Sequence, residues 1–332
     1  MSRPELETER VRVPARPMPG ERARPGREQR PGDPSRPPEI DTRDPAITVI
    51  ARAIADHTLT RAGITLLKHV LPPPRVHLTQ YQIAVPRLPR DLDGLRVLHL
   101  SDLHVHPGSD LAWQVPDLVA GVPHDLLCYT GDFIDVDDDI APLATLLERL
   151  PRGAQTYAVL GNHDYIPFGR SRGANDVQRL RAVLAAAGIT PLANEARPLY
   201  GGALYVVGVD DPASGRDDIE QAVAGVPMAA GEACTLVLAH SPDVALRLKA
   251  HRPSLILAGH THGGQIRLSR IGPLLTLSDL PRHLAMGVGM YRGVPLFVNR
   301  GIGYSGLYIR IGSPAEVALL TLHSPHGRRA GG

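Results

Sequence analysis

The sequence predicts an α/β fold, a layered sandwich in which helices pack on mixed β-sheets. Between residues 95 and 258, short apolar runs typical of buried strands alternate with polar loops and helical segments. After Gly264 the chain is rich in short strand-like runs separated by glycine turns. Alternation followed by a strand-rich stretch favours layered sheets and helices. The 332 residues, 43% hydrophobic and 21% charged, suffice for one large soluble domain or two smaller ones.

The N-terminal region differs from the rest in composition. Residues 1–45 contain ten prolines and ten arginines and few large apolar side chains. We predict a disordered tail there, because such a segment cannot bury enough surface to offset its ordering entropy. It contains no apolar run of the kind found in a secretory signal. The final residues, 324–332, are likewise predicted to be a disordered tail.

Residues 46–71 are predicted to form an amphipathic helix. Apolar positions recur at about helical spacing and are interrupted by Arg52, Asp56, Arg61 and Lys68. No uninterrupted apolar stretch reaches the roughly 18 residues that a spanning helix needs. The helix either packs on the core or a partner, or lies on a membrane surface as a peripheral contact. We therefore expect a cytoplasmic protein, with peripheral membrane association as the second interpretation.

A single domain is expected from residue 72 to residue 323, after Pro72, Pro73 and Pro74 break the chain. Its first strand, 76–85, is expected at a sheet edge. The further predicted strands cover 95–100, 126–129, 156–160, 203–209, 235–239, 255–258, 296–299, 307–311 and 316–322. The predicted helices cover 110–120, 140–150, 175–187, 216–224 and 242–250.

Charge and composition exclude some classes of function. A net charge of +2 and 4% aromatic residues supply neither a basic face nor a base-stacking platform, so no nucleic-acid partner is expected. Cys128 and Cys234 both lie in apolar runs and are expected to be buried free thiols.

Five predicted strands end in polar clusters. These clusters are Ser101-Asp102-Leu103-His104, Gly131-Asp132-Phe133-Ile134-Asp135, Gly161-Asn162-His163-Asp164, His240-Ser241-Pro242-Asp243 and Gly259-His260-Thr261-His262-Gly263-Gly264. The ends of neighbouring strands are neighbours in space, and open α/β sheets place ligands at their carboxyl edge. The clusters can therefore converge although they are far apart in sequence.

Together the clusters offer seven oxygen and nitrogen donors and no thiolate. The donors are Asp102, His104, Asp132, Asn162, His240, His260 and His262. Such a set suits Mn, Fe or Zn, among which the sequence does not choose. Seven donors exceed the needs of one open catalytic site. Two divalent ions bridged by one carboxylate would account for them, and such pairs activate a water for in-line attack at phosphorus.

The order of these motifs resembles the calcineurin-like metallophosphoesterase superfamily, whose pattern is D-x-H, GD-x-x-D, GNHD, a lone His and GH-x-H. The resemblance covers residues 76–322 and implies a four-layer α/β/β/α sandwich with two mixed β-sheets and a metal site at the C-terminal strand ends. It implies one metal held by Asp102, His104, Asp132 and His262. The other would be held by Asp132, Asn162, His240 and His260, with Asp132 bridging.

The resemblance also implies catalytic roles. His163 would contact a phosphoryl oxygen or protonate the leaving group, and Asp164 would orient its ring. Asp135 would contact a metal-binding side chain without itself binding a metal. His106 and Arg300 are candidate substrate contacts, although a surface histidine and a structural ion pair are the alternatives. Tyr304 and Arg310 are weaker candidates of the same kind.

The motif at Gly259–Gln265 and the segment from Arg300 to Pro314 are similar to a bacterial subgroup whose members are often membrane-associated. It includes phosphodiesterase-like enzymes and relatives of a pyrophosphatase that cleaves a UDP-diacylglucosamine lipid precursor. This chain departs from the subgroup in its Pro/Arg-rich tail and in His106, where a small residue is expected. The expected function is hydrolysis of phosphomonoester, phosphodiester or pyrophosphate bonds in a phosphorylated small molecule or lipid-linked substrate. A non-catalytic metal-binding scaffold and a nuclease are the alternatives.

Overall fold

A computed structural model of the protein describes residues 7–8, 74–106, 108–136, 139–151, 155–166, 174–227, 233–248, 251–268, 272–306 and 308–325. The predicted amphipathic helix at 46–71 lies outside these residues. So do nearly all of the predicted tails at 1–45 and 324–332. Of the first 45 residues, only Glu7–Thr8 is described, as a two-residue strand.

The first sheet has seven strands in the order β1-β2-β15-β3-β4-β5-β6. The run β3-β4-β5-β6 is parallel, β15 is antiparallel to β3, and β2 is parallel to β15. The strands are β1 Glu7–Thr8, β2 Val76–Ala84, β3 Leu95–Leu100, β4 Leu126–Thr130, β5 Gln155–Val159, β6 Thr190–Pro191 and β15 Ala315–His323.

The second sheet has six strands in the order β13-β14-β10-β9-β8-β7. Its four inner strands are parallel, and its two edge strands are antiparallel to their neighbours. The strands are β7 Glu195–Leu199, β8 Leu204–Gly208, β9 Cys234–Leu238, β10 Leu255–Ala258, β13 Gly287–Tyr291 and β14 Val294–Val298. A separate antiparallel pair joins β11 Arg267–Leu268 to β12 Gly272–Pro273.

The described helices are short and mostly follow strands. The α-helices are α1 Val115–Val119, α2 Ile140–Glu148, α3 Asn162–Tyr165, α4 Val177–Ala186, α5 Ile219–Val223 and α6 Val244–Arg247. Short 3₁₀ turns cover Arg90–Leu92, Ala112–Gln114, Tyr200–Gly202, His262–Gly264 and Arg282–Leu284. Within the described part of the chain, no helix has the length and apolarity needed to cross a membrane.

Three apolar layers hold the sandwich together. Between the sheets, Val97 and Cys128 of the first sheet share a core with Leu236 and Phe297 of the second. The outer face of the first sheet packs on α1, α2 and α4, and the outer face of the second packs on α5 and α6. The predicted four-layer α/β/β/α sandwich with two mixed sheets is confirmed.

Some predicted elements differ from the structure. Residues 308–311 form no strand, and Ile311 makes only an isolated bridge to Ile266. The edge strands β7 and β13 were not predicted, because Arg197 and Pro198 in one and the glycines in the other break the apolar pattern. The first predicted strand is not strictly at the edge, since Glu7–Thr8 pairs with its outer side.

Candidate metal centre

The predicted donors lie where parallel strands of both sheets end. Asp102 follows β3, Asp132 follows β4 and Asn162 follows β5, while His240 follows β9 and His260 follows β10. Five of the seven donors have positive φ angles, namely Asp102 (53°), His104 (43°), Asp132 (54°), His260 (68°) and His262 (50°). Side chains other than glycine rarely adopt this region, and such strain clusters at functional sites.

One group of donors contains Asp102, His104 and His262, all buried, with one ligand atom of each within 4.8 Å of the others. The Nε2 atom of His262 lies 3.4 Å from Oδ1 of Asp102 and 3.2 Å from Nε2 of His104. Three nitrogen and oxygen atoms at these separations surround a position suited to one cation.

A second group forms around Asp132. Its Oδ2 atom lies 3.2 Å from Nε2 of His240 and 3.5 Å from Nε2 of His104. His240 Nε2 is in turn 3.1 Å from Oδ1 of Asn162 and 3.1 Å from Nδ1 of His260. The Asp132 carboxylate therefore stands between a ligand of the first group and a ligand of the second, where a bridging carboxylate would stand.

In three of the imidazoles, the ring nitrogen that faces away from the other donors (the outer nitrogen) lies next to an oxygen acceptor. The other ring nitrogen is therefore available to bind a cation. His240 Nδ1 is 2.7 Å from the Thr130 carbonyl oxygen, and His260 Nε2 is 3.1 Å from the Leu277 carbonyl oxygen. His104 Nδ1 is 2.7 Å from the carboxylate of Asp135. An acceptor on the outer nitrogen fixes the N–H there and leaves the inner lone pair for a metal. These residues fit the ions that the sequence predicts.

His262 differs from the other three. Its Nδ1 lies 2.9 Å from the guanidinium of Arg310, which can only donate. In the neutral ring the proton therefore sits on Nε2 in this structure, and this contact must change before Nε2 can bind a cation. Burial first, and then the charge of Arg310, lower the pKa of His262 well below its ordinary value. The ring is thus held in its neutral form, which a cation requires.

Neighbouring charges shift the pKa values of Asp132 and His104 in opposite directions. Burial alone would raise the pKa of Asp132, but His240 and then His163 outweigh it and hold that pKa well below its ordinary value. Burial alone would lower the pKa of His104, but Asp135, and then Asp132, raise it to about 9. The site holds anionic carboxylates that attract positive charge, and cations can supply that charge in place of protons.

Glycines in the motifs make room for this packing. A Cβ at Gly259 would clash with Ser101 Oγ and Asp102 Oδ2, and one at Gly161 would clash with Asp132 Oδ1. Glycine is therefore required at both positions because the backbone approaches carboxylate oxygens too closely for any side chain.

His163 lies beside the second group without being part of it. Its backbone N–H donates to Asp132 Oδ1 at 2.9 Å, and its ring centroid is 5.1 Å from that of His104. Its Nδ1 atom is 3.8 Å from Oδ1 of Asp135. Burial lowers its pKa, an effect that Asp132 opposes. With a side chain that is 13% exposed, the ring can be reached from outside.

Asp164 does not orient the His163 ring as expected. Its Oδ1 accepts the backbone N–H groups of Phe133 at 2.8 Å and Ile134 at 3.2 Å, and its Oδ2 accepts that of Gly161 at 2.9 Å. The fully buried carboxylate ties the loop after β4 to the loop after β5. The carboxylate beside the His163 ring is that of Asp135, because the helical turn at Asn162–Tyr165 directs Asp164 back towards the backbone.

Arg300 is not placed as a substrate contact. Its guanidinium is 2.8 Å from Glu316 Oε1 and 3.0 Å from Thr79 Oγ1, inside the first sheet. The side chains of the pair are 11% and 0% exposed. The structure therefore contains the structural ion pair that the sequence analysis gave as the alternative to a substrate contact for Arg300.

The structure places the other substrate candidates beside the first group. The His106 ring centroid lies 5.4 Å from that of Tyr308, and the Tyr304 ring centroid lies 5.7 Å from that of Tyr308. Arg310, a candidate substrate contact in the sequence, contacts His262 directly, and sequence reasoning missed this contact. Its place within the Arg300–Pro314 segment was the only signal for it.

A two-sheet α/β sandwich that gathers seven oxygen and nitrogen donors at its strand ends defines a metal-dependent phosphoesterase, a hydrolase of phosphate esters. Comparison with known proteins gives the family. A profile of the calcineurin-like phosphoesterase family matches residues 95–264, just over half of the chain. The chain belongs to that family, and the resemblance seen in the motifs is confirmed.

Several relatives carry corresponding names. The chain is 33% identical over 229 residues to the uncharacterized metallophosphoesterase YkoQ of Bacillus subtilis (strain 168), covering 67% of this chain and 82% of YkoQ. It is 28% identical over 283 residues to YkuE, another uncharacterized metallophosphoesterase of that organism, covering 82% and 94%. It is 30% identical over 236 residues to the phosphodiesterase YaeI of Escherichia coli (strain K12), covering 68% and 82%.

Proposed function

We propose that this metallophosphoesterase uses a dinuclear centre to hydrolyse phosphodiesters, by attack of a water on phosphorus with His163 assisting the reaction. The observation that carries the proposal is the position of Asp132. Its Oδ2 lies between His104 of one donor group and His240 of the other, at 3.5 and 3.2 Å. A single mononuclear site would leave one of these groups without a use.

The residues that would hold the ions follow from the two groups. Asp102, His104 and His262 would hold one, Asn162, His240 and His260 the other, and Asp132 would bridge them. Divalent ions bound there supply a water of lowered pKa and positive charge for the phosphoryl oxygens. The donor set accepts Mn, Fe and Zn alike, so the metal content of the purified protein identifies the ions.

In this proposal His163 acts on the phosphoryl group. Because burial lowers its pKa, the ring is neutral at pH 7 and keeps one N–H to donate. That N–H can donate a hydrogen bond to a phosphoryl oxygen. To act as a general acid the ring would first have to be protonated, so that it could give this proton to the departing alkoxide and return to the neutral form. The nearby Asp135 carboxylate favours the protonated ring. General acid or hydrogen-bond assistance of this kind contributes roughly 10²- to 10⁴-fold.

The test uses the purified full chain, stripped with a chelator and reloaded separately with Mn, Fe or Zn. Turnover of bis(p-nitrophenyl) phosphate and bound metal are measured on the same samples. We expect His163→Ala to lose roughly 10²- to 10⁴-fold in kcat with its metal content retained. Asp132→Asn should lose both turnover and metal, because it removes the shared carboxylate charge.

The control is His283→Ala, an exposed histidine of the 3₁₀ turn Arg282–Leu284, which should behave as wild type. Full activity in the His163 variant would remove that residue from the mechanism. Bound metal without turnover of any substrate would favour a metal-binding scaffold. A screen of phosphomonoesters, phosphodiesters, pyrophosphates and lipid-linked phosphates would then define the natural substrate class.

A further inference from the structure

A pocket of about 780 Å³ adjoins the donor group that contains His104 and His262. His106, two residues beyond His104, forms one part of its wall. Arg310 forms another, and its guanidinium is 2.9 Å from Nδ1 of His262. His77, near the start of β2, also lines the pocket. Pockets of this size bind drug-sized organic groups.

The pocket is lined by rings and apolar side chains. Tyr304 and Tyr308 lie with ring centroids 5.7 Å apart, and His106 meets Tyr308 edge to face at 5.4 Å. Ile309 is 6% exposed and forms part of the wall together with Pro314. Tyr308 is 47% exposed, so one ring stands at the mouth. Such a lining favours planar or apolar groups.

The charges of the lining do not suit a second phosphate. Four N–H groups of Arg310 donate to the carbonyl oxygens of Gly303, Arg300 and Ser313. The fifth contacts His262, and it is the only one released if His262 binds a cation. The other two charged residues of the lining, Arg75 and Asp110, are exposed and of opposite sign. The lining therefore offers no pair of cations converging on an anion.

The described lining of the pocket does not include the group expected to assist departure of the alcohol. Among the described residues that line it, none is His163, Asn162 or His260. If His163 assists the leaving group, then a substituent in this pocket is the one that stays on phosphorus.

We propose that the pocket binds the retained ester group of a phosphodiester, an aromatic or otherwise apolar substituent, and that it selects diesters over monoesters. This inference rests on the proposed function. A monoester has no retained substituent and leaves the pocket empty. A diester gains the free energy of moving apolar surface from water onto the Tyr304 and Tyr308 rings.

The test compares substrates that share one leaving group. They are p-nitrophenyl phosphate, methyl p-nitrophenyl phosphate and phenyl p-nitrophenyl phosphate, each assayed with the Mn-loaded full chain. We expect kcat/KM for the phenyl diester to exceed that for the methyl diester roughly 10- to 100-fold, mainly through KM. The monoester should be the poorest. Equal values for the two diesters would overturn the proposal.

A matched pair of tyrosine variants locates the effect. Tyr308→Ala removes a ring at the pocket mouth, and Tyr200→Ala removes a ring of similar exposure, 42%, before β8. The first should bring the phenyl-to-methyl ratio to within about threefold of one. The second should keep the wild-type ratio. A ratio that survives Tyr308→Ala would overturn the assignment of this pocket.

Binding measurements separate this inference from the proposed function. Calorimetry with diphenyl phosphate and dimethyl phosphate needs no turnover, because neither carries a good leaving group. One outcome is that diphenyl phosphate binds more strongly than dimethyl phosphate, that this difference depends on Tyr308, and that no ester is hydrolysed. This outcome would support the pocket and refute the proposed function. Hydrolysis without discrimination between the two diesters would do the reverse.

Discussion

Replacing Asp164 by Asn should destabilise the fold and should leave the chemistry of the folded molecules largely intact. The Asp164 carboxylate accepts three backbone N–H groups from two loops. In the variant the remaining amide oxygen keeps the bonds to Phe133 and Ile134. The amide NH₂ then faces the N–H of Gly161, so one buried bond is lost and two donors oppose each other.

The magnitude follows from those contacts. Burial, and then the charge of Asp132, raise the pKa of Asp164 to about 7, so its carboxylate is charged when unfolding is measured above that pH. A buried hydrogen bond to a charged group then contributes about 1.5–3 kcal/mol, and an unsatisfied buried donor costs about 1–3 kcal/mol. We therefore expect a loss of about 3 kcal/mol in the free energy of unfolding. For a domain of this size that lowers the Tm by roughly 6–12 °C. Asp164→Ala, which leaves all three amides without a partner, should lose more.

The assay is thermal unfolding of the Mn-free and Mn-loaded protein, with kcat and metal content measured well below the Tm. Asp218→Asn is the control, because Asp218 caps α5 through the N–H of Gln221 at an exposed position where Asn caps equally well. The reasoning is refuted if Asp164→Asn keeps its Tm and its metal but loses catalysis. Asp164 would then act on His163 after all.

Three further changes test other parts of the structure. Asp135→Asn should lower kcat by roughly 10- to 100-fold with little change in Tm, because the Asp135 carboxylate orients the His104 imidazole and lies beside that of His163. An unchanged kcat would exclude that role. Arg300→Met should cost about 3–5 kcal/mol, measured by urea unfolding, by leaving Glu316 as a buried charge without its partner. The activity of its folded molecules should match wild type, and a selective loss of kcat would restore Arg300 as a substrate contact. Burial lowers the pKa of His99 to about 3, so the unfolded chain takes up a proton below pH 6.5 that the folded chain refuses. Stability is then lost as pH falls from about 6.5 to 3, at about 1.4 kcal/mol per pH unit, and His99→Gln should show a shallower slope in denaturation series across that range.

The candidate metal donors could be predicted from the sequence because they lie within a few residues of the ends of short apolar runs. In a parallel sheet the carboxyl ends of neighbouring strands lie at one edge. The polar residues after Leu100 and Thr130 therefore lie at one edge of the first sheet, and those after Ala258 lie at the carboxyl ends of the parallel strands of the second. The glycines beside them were equally informative. A Cβ at Gly259 has no room next to Asp102, and such a requirement leaves a trace in the sequence.

The partners of these donors could not be read in the same way. Asp164 and Asp135 are both carboxylates next to a motif, and their spacing does not say which one reaches the His163 ring. The short helix at Asn162–Tyr165 decides it by turning Asp164 towards three backbone amides. Arg300 and Arg310 are a similar pair. One enters an ion pair inside the first sheet, and the other reaches His262.

The sequence by itself determined the layered α/β fold, the five loops that carry the chemistry and the types of donor they offer. Those features depend on local patterns of apolar runs, glycines and ligand residues, which a chain displays without being folded. Only the tertiary structure decided which carboxylate faces which imidazole and which arginine is structural. The pocket lined by aromatic rings near His104 and His262 is likewise visible only in the folded protein. These contacts join residues that are distant in the chain, 31 positions for His104 and Asp135 and 48 positions for His262 and Arg310, and they form only once the loops that carry them have come together.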